Sequence, residues 1–322
     1  MSSRKICLIL SVAVFLVIPF SVIASEEDYP KRPIEVVLNY PPGGSLDNVM
    51  RIIQPALQAK LGVPVILTTK AGGAGALGAD FVAKANPDGY TIGAFSYVAL
   101  TSSPQFNKSI PYKYTDFIPL GTITADPCLL VSKPEAPWRT FEELVSYAKK
   151  NPGKLNYGSP GMGGTGFSVM ELIKIAYDID IVPVHFQGAG PAKIAILGGH
   201  VNMAIGGYGA FIPLIKAGSL TGLVLTSLNR SPIFPTIPTM AEKGLPEASL
   251  MVRNGLLVPQ KCSKAVVKKL EKALLELMRD PAIISQIEKA GLIPEDLDSE
   301  ATWKVLEEEF KAVNKVVKKL GI

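Results

Sequence analysis

Hydrophobic and polar positions after residue 33 follow two alternating patterns along the chain. Short runs rich in β-branched residues predict strands, and several runs are apolar throughout, as strands buried on both faces should be. Between them lie stretches with apolar residues at helical spacing, and Gly and Pro fall at the joints. The pattern predicts strands at 34–40, 63–69, 90–96, 154–158, 181–186, 201–206 and 220–227, and helices at 47–60, 76–84, 140–150, 165–177, 189–197 and 209–217. This alternation predicts an α/β protein in which helices cover parallel sheets.

Two extended stretches, 118–132 and 250–259, interrupt the alternation, and the chain between them carries strand and helix patterns of its own. We interpret this order as a chain that leaves one α/β lobe, builds a second and returns. Predicted lobe 1 comprises 26–124 and 255–322, and predicted lobe 2 comprises 125–254. Apolar residues from Trp303 to Leu320 recur at spacings of three and four. That stripe predicts a C-terminal helix docked on its parent lobe, in preference to a coiled coil.

The first 25 residues have the features of a secretory signal. Arg4 and Lys5 precede an uncharged apolar run, and Val22 and Ala24 occupy the −3 and −1 positions of a signal-peptidase site. A membrane anchor is the alternative, but the serines and the proline within the run favour cleavage. We therefore expect a periplasmic protein cleaved near Ala24.

Cys128 and Cys262 remain after Cys7 leaves with the signal. A disulfide between them is compatible with an oxidising compartment, although sequence does not show whether their Cα atoms approach closely enough. We expect free, buried thiols.

Charge and composition narrow the class of partner. The formal net charge is +5 and both signs are interspersed, so no basic face of the kind that binds nucleic acid stands out. No histidine or cysteine pattern typical of a metal site occurs, so we expect no metal and no cofactor. We also expect a monomer.

A glycine-rich loop follows the first predicted strand and precedes a helix. It includes Tyr40, Pro42, Gly43, Gly44, Ser45 and Asp47. Glycines let backbone N–H groups approach a ligand, and a helix start offers unpaired donors and a positive dipole end to an anion. A plain turn with a capped helix is the alternative interpretation.

A second loop of the same design joins the strand at 154–158 to the next helix. It includes Ser159, Gly163, Gly164 and Thr165. Ligands of open α/β sheets bind at the carboxyl ends of strands, where Ser96 also lies. We therefore predict that two loops, one from each lobe, close on the same small acid.

Other features of the sequence give weaker evidence of a binding or catalytic site. Residues 73–78 fit a dinucleotide-binding pattern, but the next strand ends in Phe95-Ser96-Tyr97, where the pattern requires an acidic residue. Close helix packing or ligand contact is the better explanation of those glycines. His185 ends a strand and Arg253 lies in the second extended stretch, so either can face the cleft or serve a structural role. A hydrolase that uses Ser159 and His185 is the alternative function, although no spacing typical of a serine hydrolase supports it.

The chain resembles the Bug-type solute receptors, the extracytoplasmic binding proteins of tripartite tricarboxylate transporters. The resemblance covers nearly the whole mature chain and rests on the order and spacing of many short motifs. These are 29–30, 32–34, the loop from Tyr40 to Asp47, 78–80, 87–91, 149–157, 197–199, 226–227, 230–232 and 255–259.

This resemblance implies a type II periplasmic binding protein fold, in which two α/β lobes are joined by two hinge strands. It also implies a receptor that captures a small organic carboxylate and delivers it to the permease subunits of such a transporter. Three departures from the family pattern affect the pocket: 206–210, which includes Gly207; the pair Arg253-Asn254; and 184–188, which includes His185. We expect Arg253 to bind a second acidic group of the ligand, with an ordinary salt bridge as the alternative.

Overall fold

The computed structural model describes residues 29–321. The predicted signal sequence and its cleavage site at Ala24 lie outside the described residues. The strands are β1 (Ile34–Leu38), β2 (Val65–Thr69), β3 (Thr91–Ser96), β4 (Phe117–Ser132), β5 (Leu155–Ser159), β6 (Ile181–His185), β7 (Met203–Gly207), β8 (Thr221–Leu225) and β9 (Met251–Pro259). The helices are α1 (Ser45–Leu61), α2 (Ala76–Ala83), α3 (Val98–Thr101), α4 (Ser103–Phe106), α5 (Phe141–Lys150), α6 (Thr165–Tyr177), α7 (Ala189–Leu197), α8 (Ile212–Lys216), α9 (Lys264–Met278), α10 (Pro281–Lys289) and α11 (Ser299–Leu320).

All seven predicted strands and all six predicted helices between them are present, with ends shifted by a few residues. Sequence signals account for several helix ends. Thr140 and Glu143 form a capping box at the start of α5, and Gly62 ends α1 in the left-handed conformation with φ 72°. The short helices α3 and α4 were not predicted, because four residues are too few to show a period.

One continuous sheet runs through the molecule in the order β2-β1-β3-β9-β4-β7-β5-β6, and β8 also pairs with β4. β1 is parallel to β2 and β3, and β5 is parallel to β6 and β7. The two strands from the interrupting stretches, β4 and β9, run antiparallel to their neighbours and to each other. The expected parallel units are therefore present on both sides of an antiparallel pair.

Adjacent side chains of a strand pack into hydrophobic clusters on opposite faces of the sheet. This explains why several strand sequences are apolar throughout. In β1, Val36 and Leu38 pack into one cluster with α1 and α9, while Val37 packs into another with α2. In β4, Leu130 faces the cluster around α5 and α6, while Leu129 faces the cluster around α7 and α8. Both faces of each half-sheet are thus covered by helices.

The strands β4 and β9 join the two halves. Their ladder runs from Phe117 opposite Pro259 to Pro127 opposite Met251, with two register shifts in between. Thr124 lies opposite Asn254, so the two predicted lobe boundaries meet at one point of this ladder. The assignment of 26–124 and 255–322 to lobe 1 and of 125–254 to lobe 2 stays a prediction. The names lobe 1 and lobe 2 denote these residues.

Helix α11 contacts both halves. Leu306 packs with Tyr112 and Phe117 of lobe 1, whereas Val313 and Val317 lie in the core cluster that contains α5 and α6 of lobe 2. The stripe is predicted to dock on its parent lobe; its first part does so, and its later part packs on lobe 2. A helix of 22 residues spans roughly 33 Å, which is long enough to reach across the junction.

A buried carboxyl group lies at the junction. Asp126 in β4 is fully buried; its Oδ1 accepts a hydrogen bond from the Ile293 N–H at 2.9 Å, and its Oδ2 has no hydrogen-bond partner within residues 29–321. Burial raises the pKa of Asp126 from 3.8 to about 7, and the Ile293 N–H opposes this shift only in part. An ionised Asp126 therefore weakens the fold.

We expect Asp126→Asn to stabilise the protein at alkaline pH. The folded pKa lies above the unfolded value, so the stability contributed by the protonated group is complete below about pH 4 and is lost as the pH rises through about 7. The gain in unfolding free energy at pH 8 is about 2–4 kcal/mol. Urea unfolding of both proteins at acid and alkaline pH measures it, and equal stability of the two proteins at alkaline pH contradicts the prediction.

Candidate functional site

The starts of α1 and α6 open onto one cavity between the two lobes. Gly44 precedes α1 and Gly164 precedes α6; both have extended backbone, and neither carries a side chain that can cap the first helical amides. Those N–H groups are consequently available to a ligand. The cavity between them, called the central cavity here, has a volume of about 60 Å³.

Half of the predicted ligand-binding residues line the central cavity. They are Tyr40, Gly44, Ser45, Ser96, Gly164, Thr165 and Gly207. Asn39 holds the ends of β1 and β3 together, because its Oδ1 accepts from Ser96 N–H at 3.0 Å and its Nδ2 donates to Ser96 O at 3.3 Å. Burial raises the pKa of the Tyr40 phenol, so Tyr40 keeps its proton and remains a donor.

The lobes touch beside the central cavity through glycines. A Cβ at Gly188 would lie 2.9 Å from Pro41 Cγ, and one at Gly161 would lie 3.0 Å from Ala74 Cβ. Gly163 packs in the same way against Ser103. The absence of side chains at these positions lets the two loops approach each other.

Asp47 does not line the central cavity. Its Oδ2 accepts from Gly43 N–H at 3.1 Å, and its Oδ1 accepts from Arg51 Nε at 3.0 Å. The carboxylate thus holds the loop in place from within the first turn of α1. Pro42 and Gly43 are exposed at the tip of this loop and Gly163 contacts lobe 1, so these three also lie outside the cavity lining.

Arg253 faces away from the central cavity, which corrects the expectation that it binds the ligand there. Its guanidinium forms ion pairs with Glu295, at 3.1 Å from Nε, and with Glu309. Residues on a strand alternate between faces, and the neighbours Val252 and Asn254 are the ones that line the cavity. The alternative considered from the sequence, a salt bridge, is what the structure contains.

Asn254 is the polar cavity residue that the sequence analysis missed. Its Nδ2 donates to Thr124 Oγ1 at 2.9 Å and to Ser45 Oγ at 3.3 Å, while its Oδ1 is buried and has no partner among the described residues. It therefore ties the hinge strands to the start of α1 and leaves one amide atom free at the cavity wall. Side chains alternate between the two faces of a strand, and applying this alternation to β9 could have identified Asn254 from the sequence.

Ser159 and His185 form a hydrogen bond of 2.9 Å between Oγ and Nδ1. Ser159 is fully buried and neither residue lines the central cavity; His185 lies in a neighbouring groove with Ala74 and Met162. Within residues 29–321, no carboxylate accepts a hydrogen bond from the His185 ring. The pair therefore lacks the accessible nucleophile and the orienting acid of a serine hydrolase.

The glycines at 73–78 serve packing. A Cβ at Gly75 would lie 2.6 Å from Asn39 Nδ2, and one at Gly78 would lie 2.8 Å from Asn39 Cβ. These glycines bring the start of α2 against the end of β1. Close packing, one of the two explanations considered from the sequence, thus accounts for Gly75 and Gly78.

Both cysteines are buried, as expected, and no disulfide joins Cys128 to Cys262. Cys128 lines the central cavity, and Cys262 lies in the core cluster of lobe 1. In the part of the chain that the structure describes, no group of three or more His, Cys, Asp or Glu is placed to hold a metal ion. The helices of that part include none with the length and apolarity needed to cross a bilayer.

Comparison with known proteins places this architecture in a family. The sequence model of the tripartite tricarboxylate transporter family receptors, TctC, matches residues 49–322. The chain belongs to this receptor family. Protein BugT of Bordetella pertussis is 30% identical over 299 residues, which cover 92% of each chain.

Solved structures of the family have the same fold. Rpa4515 of R. palustris with adipate is similar with a TM-score of 0.86 at 26% identity, covering 92% of this chain and 99% of that one. MatC of Rhodopseudomonas palustris with bound malate is similar with a TM-score of 0.84 at 26% identity, covering 90% and 100%. The predicted type II periplasmic binding protein fold and the predicted Bug-type receptor family are both confirmed.

Proposed function

We propose that this receptor captures a small dicarboxylate in the central cavity and hands it to the permease subunits of a tripartite tricarboxylate-type transporter. The single observation that carries the proposal is the meeting of two glycine-capped helix starts, one from each lobe, at one cavity. Two helix dipoles and their free N–H groups stabilise an anion without a paired cation. No charged side chain of residues 29–321 lines the cavity, so main-chain groups and hydroxyls would hold the acid.

The lining suggests how the ligand would be held. One carboxylate accepts from the first amides of α1, and another group of the acid accepts from those of α6. Tyr40, Ser45 and Thr165 add hydroxyl donors. Because these groups belong to both lobes, a bound acid favours the closed arrangement over the open one. The relatives that hold adipate and malate indicate the chemical class to test first.

The proposal also covers where the receptor acts, its oligomeric state and its lack of catalysis. The receptor acts as a periplasmic monomer after cleavage near Ala24, and it performs no catalysis. The hydrogen bond between Ser159 and His185 is the one observation that favours the alternative, an exported hydrolase. Its buried serine argues against that function.

Native mass spectrometry of the freshly purified mature protein, before and after mild denaturation, tests the proposal. We expect an additional mass of a small organic acid that is lost on denaturation, and saturable binding of malate or adipate by titration calorimetry. No retained acid together with no binding of either acid would contradict the proposal. Ester hydrolysis that disappears in Ser159→Ala would instead establish the hydrolase.

A further inference from the structure

A second and larger cavity lies behind the hinge strands. This rear chamber has a volume of about 480 Å³. Met251 and Arg253 of β9 and Pro127 of β4 line it, whereas the alternate residues Val252, Asn254 and Cys128 line the central cavity. The two cavities therefore occupy opposite faces of the hinge strands.

Walls of the rear chamber come from both lobes and from α11. Ser102 of lobe 1, Ser168 and Ser227 of lobe 2, and Glu309 and Val313 of α11 all contribute to it. Val98 and Thr165 are shared with the central cavity and separate the two spaces. An occupant of the rear chamber would thus contact all three parts of the molecule.

The partly buried ion-pair cluster beside this chamber holds one basic and two acidic side chains. The guanidinium of Arg253 is paired with two carboxylates, Glu295 and Glu309, whose side chains are 20% and 18% exposed. Arg230 at the rim is already paired with Glu242 at 2.9 Å. Burial raises the pKa of Glu309 to about 7, and Arg253 opposes this shift only in part.

Two serine hydroxyls at this chamber have no partner in the part of the chain that the structure describes. Ser227 Oγ and Ser249 Oγ are buried, and neither makes a hydrogen bond with a group of residues 29–321. Buried polar atoms in native structures are nearly always paired, so Ser227 and Ser249 keep hydrogen-bonding capacity that residues 29–321 do not use. The apolar side chains of Leu250, Met251 and Val313 complete the wall.

We propose that the rear chamber is a second binding site, which takes a small organic ammonium ion. Its ammonium group donates to the Glu309 carboxylate, its remaining polar atoms pair with the free serine hydroxyls, and its alkyl part packs on Met251 and Val313. A carboxylate is disfavoured there because the lining cations are already paired. This site is independent of the acid-binding site proposed above.

Titration calorimetry with three probes of equal size and different charge tests the site. At neutral pH, n-butylammonium carries a positive charge, 1-butanol none and butyrate a negative charge. We expect saturable binding of n-butylammonium in the millimolar range and much weaker binding of 1-butanol. Equal binding of these two probes would mean that the chamber offers only apolar burial, and absence of saturable n-butylammonium binding would overturn the proposal directly.

Single substitutions test whether n-butylammonium binds in the rear chamber. Glu309→Gln should weaken n-butylammonium binding at least about tenfold, since a partly buried charge partner is lost. Glu308→Gln is the matched control: it makes the same charge change on the same helix at an exposed position, and it should bind as the parent does. Ser249→Leu, which removes an unpaired hydroxyl and adds apolar volume at the wall, should also weaken binding.

A final variant distinguishes binding in the rear chamber from binding in the central cavity. Gly207→Val fills the central cavity and should leave n-butylammonium binding unchanged. If Gly207→Val removes n-butylammonium binding while Glu309→Gln retains it, the cation binds in the central cavity and the proposed rear site is wrong. Failure of malate and adipate to bind has no bearing on this result.

Discussion

Replacement of Gly255 by alanine is expected to lower the free energy of unfolding by roughly 3–5 kcal/mol. Gly255 lies in β9 where three strands meet, between β3 and β4. A Cβ there would lie 2.3 Å from both Gly121 O and Tyr97 Oη. Gly121 O is a backbone atom that accepts the Tyr97 hydrogen bond at 2.7 Å, so it cannot move without loss of that bond.

Urea unfolding followed by circular dichroism measures the loss. Gly207→Ala is the matched control, because its Cβ would meet the nearest atom, Ser45 Oγ, at an ordinary 3.5 Å. We expect this control to change the unfolding free energy by less than about 1 kcal/mol. Similar midpoints for Gly255→Ala and the parent would show that the hinge ladder tolerates a shift, contrary to the packing described.

The second large effect concerns ligand capture: Gly207→Val should weaken binding of malate or adipate at least about 100-fold, or about 2.7 kcal/mol. Gly207 ends β7 and lines the central cavity beside Ser45 and Val252. Valine suits a strand, but its methyl groups would fill much of the central cavity, whose volume is about 60 Å³. The acid and the closed arrangement would then exclude each other.

Calorimetry with the bound acid measures this effect, and Gly207→Ala supplies the intermediate case. A graded loss from glycine to alanine to valine, with nearly unchanged unfolding midpoints, is the expected result. Full affinity in Gly207→Val would place the acid elsewhere in the molecule and would contradict the proposed site.

The two loops show what local sequence can predict about a site. A glycine-rich turn between a strand and a helix is a local feature, so the positions of Gly44 and Gly164 at helix starts followed from the sequence. Asp47 was predicted to bind the ligand but instead holds its own loop through Gly43 and Arg51. Both roles need an acidic residue in the first helical turn, and only the direction of the side chain separates them.

The second hinge strand shows where the prediction failed. Arg253 was chosen because a cation suits a carboxylate, yet Glu295 and Glu309 are its partners. Those two residues are more than 40 positions away in the chain, and α11 brings Glu309 to the junction. The neighbouring Asn254 faces the cavity because adjacent strand residues point in opposite directions.

The sequence by itself determined the α/β alternation, the two interrupting strands, the two glycine-rich loops at helix starts and the family of this protein. These depend on patterns within short segments, where hydrophobic period and glycine placement act directly on the backbone. Only the tertiary structure decided which face of β9 meets the ligand cavity, that α11 packs on both lobes, and that a rear chamber exists. Each of these depends on contacts between residues far apart in the chain, and local propensity carries no information about them.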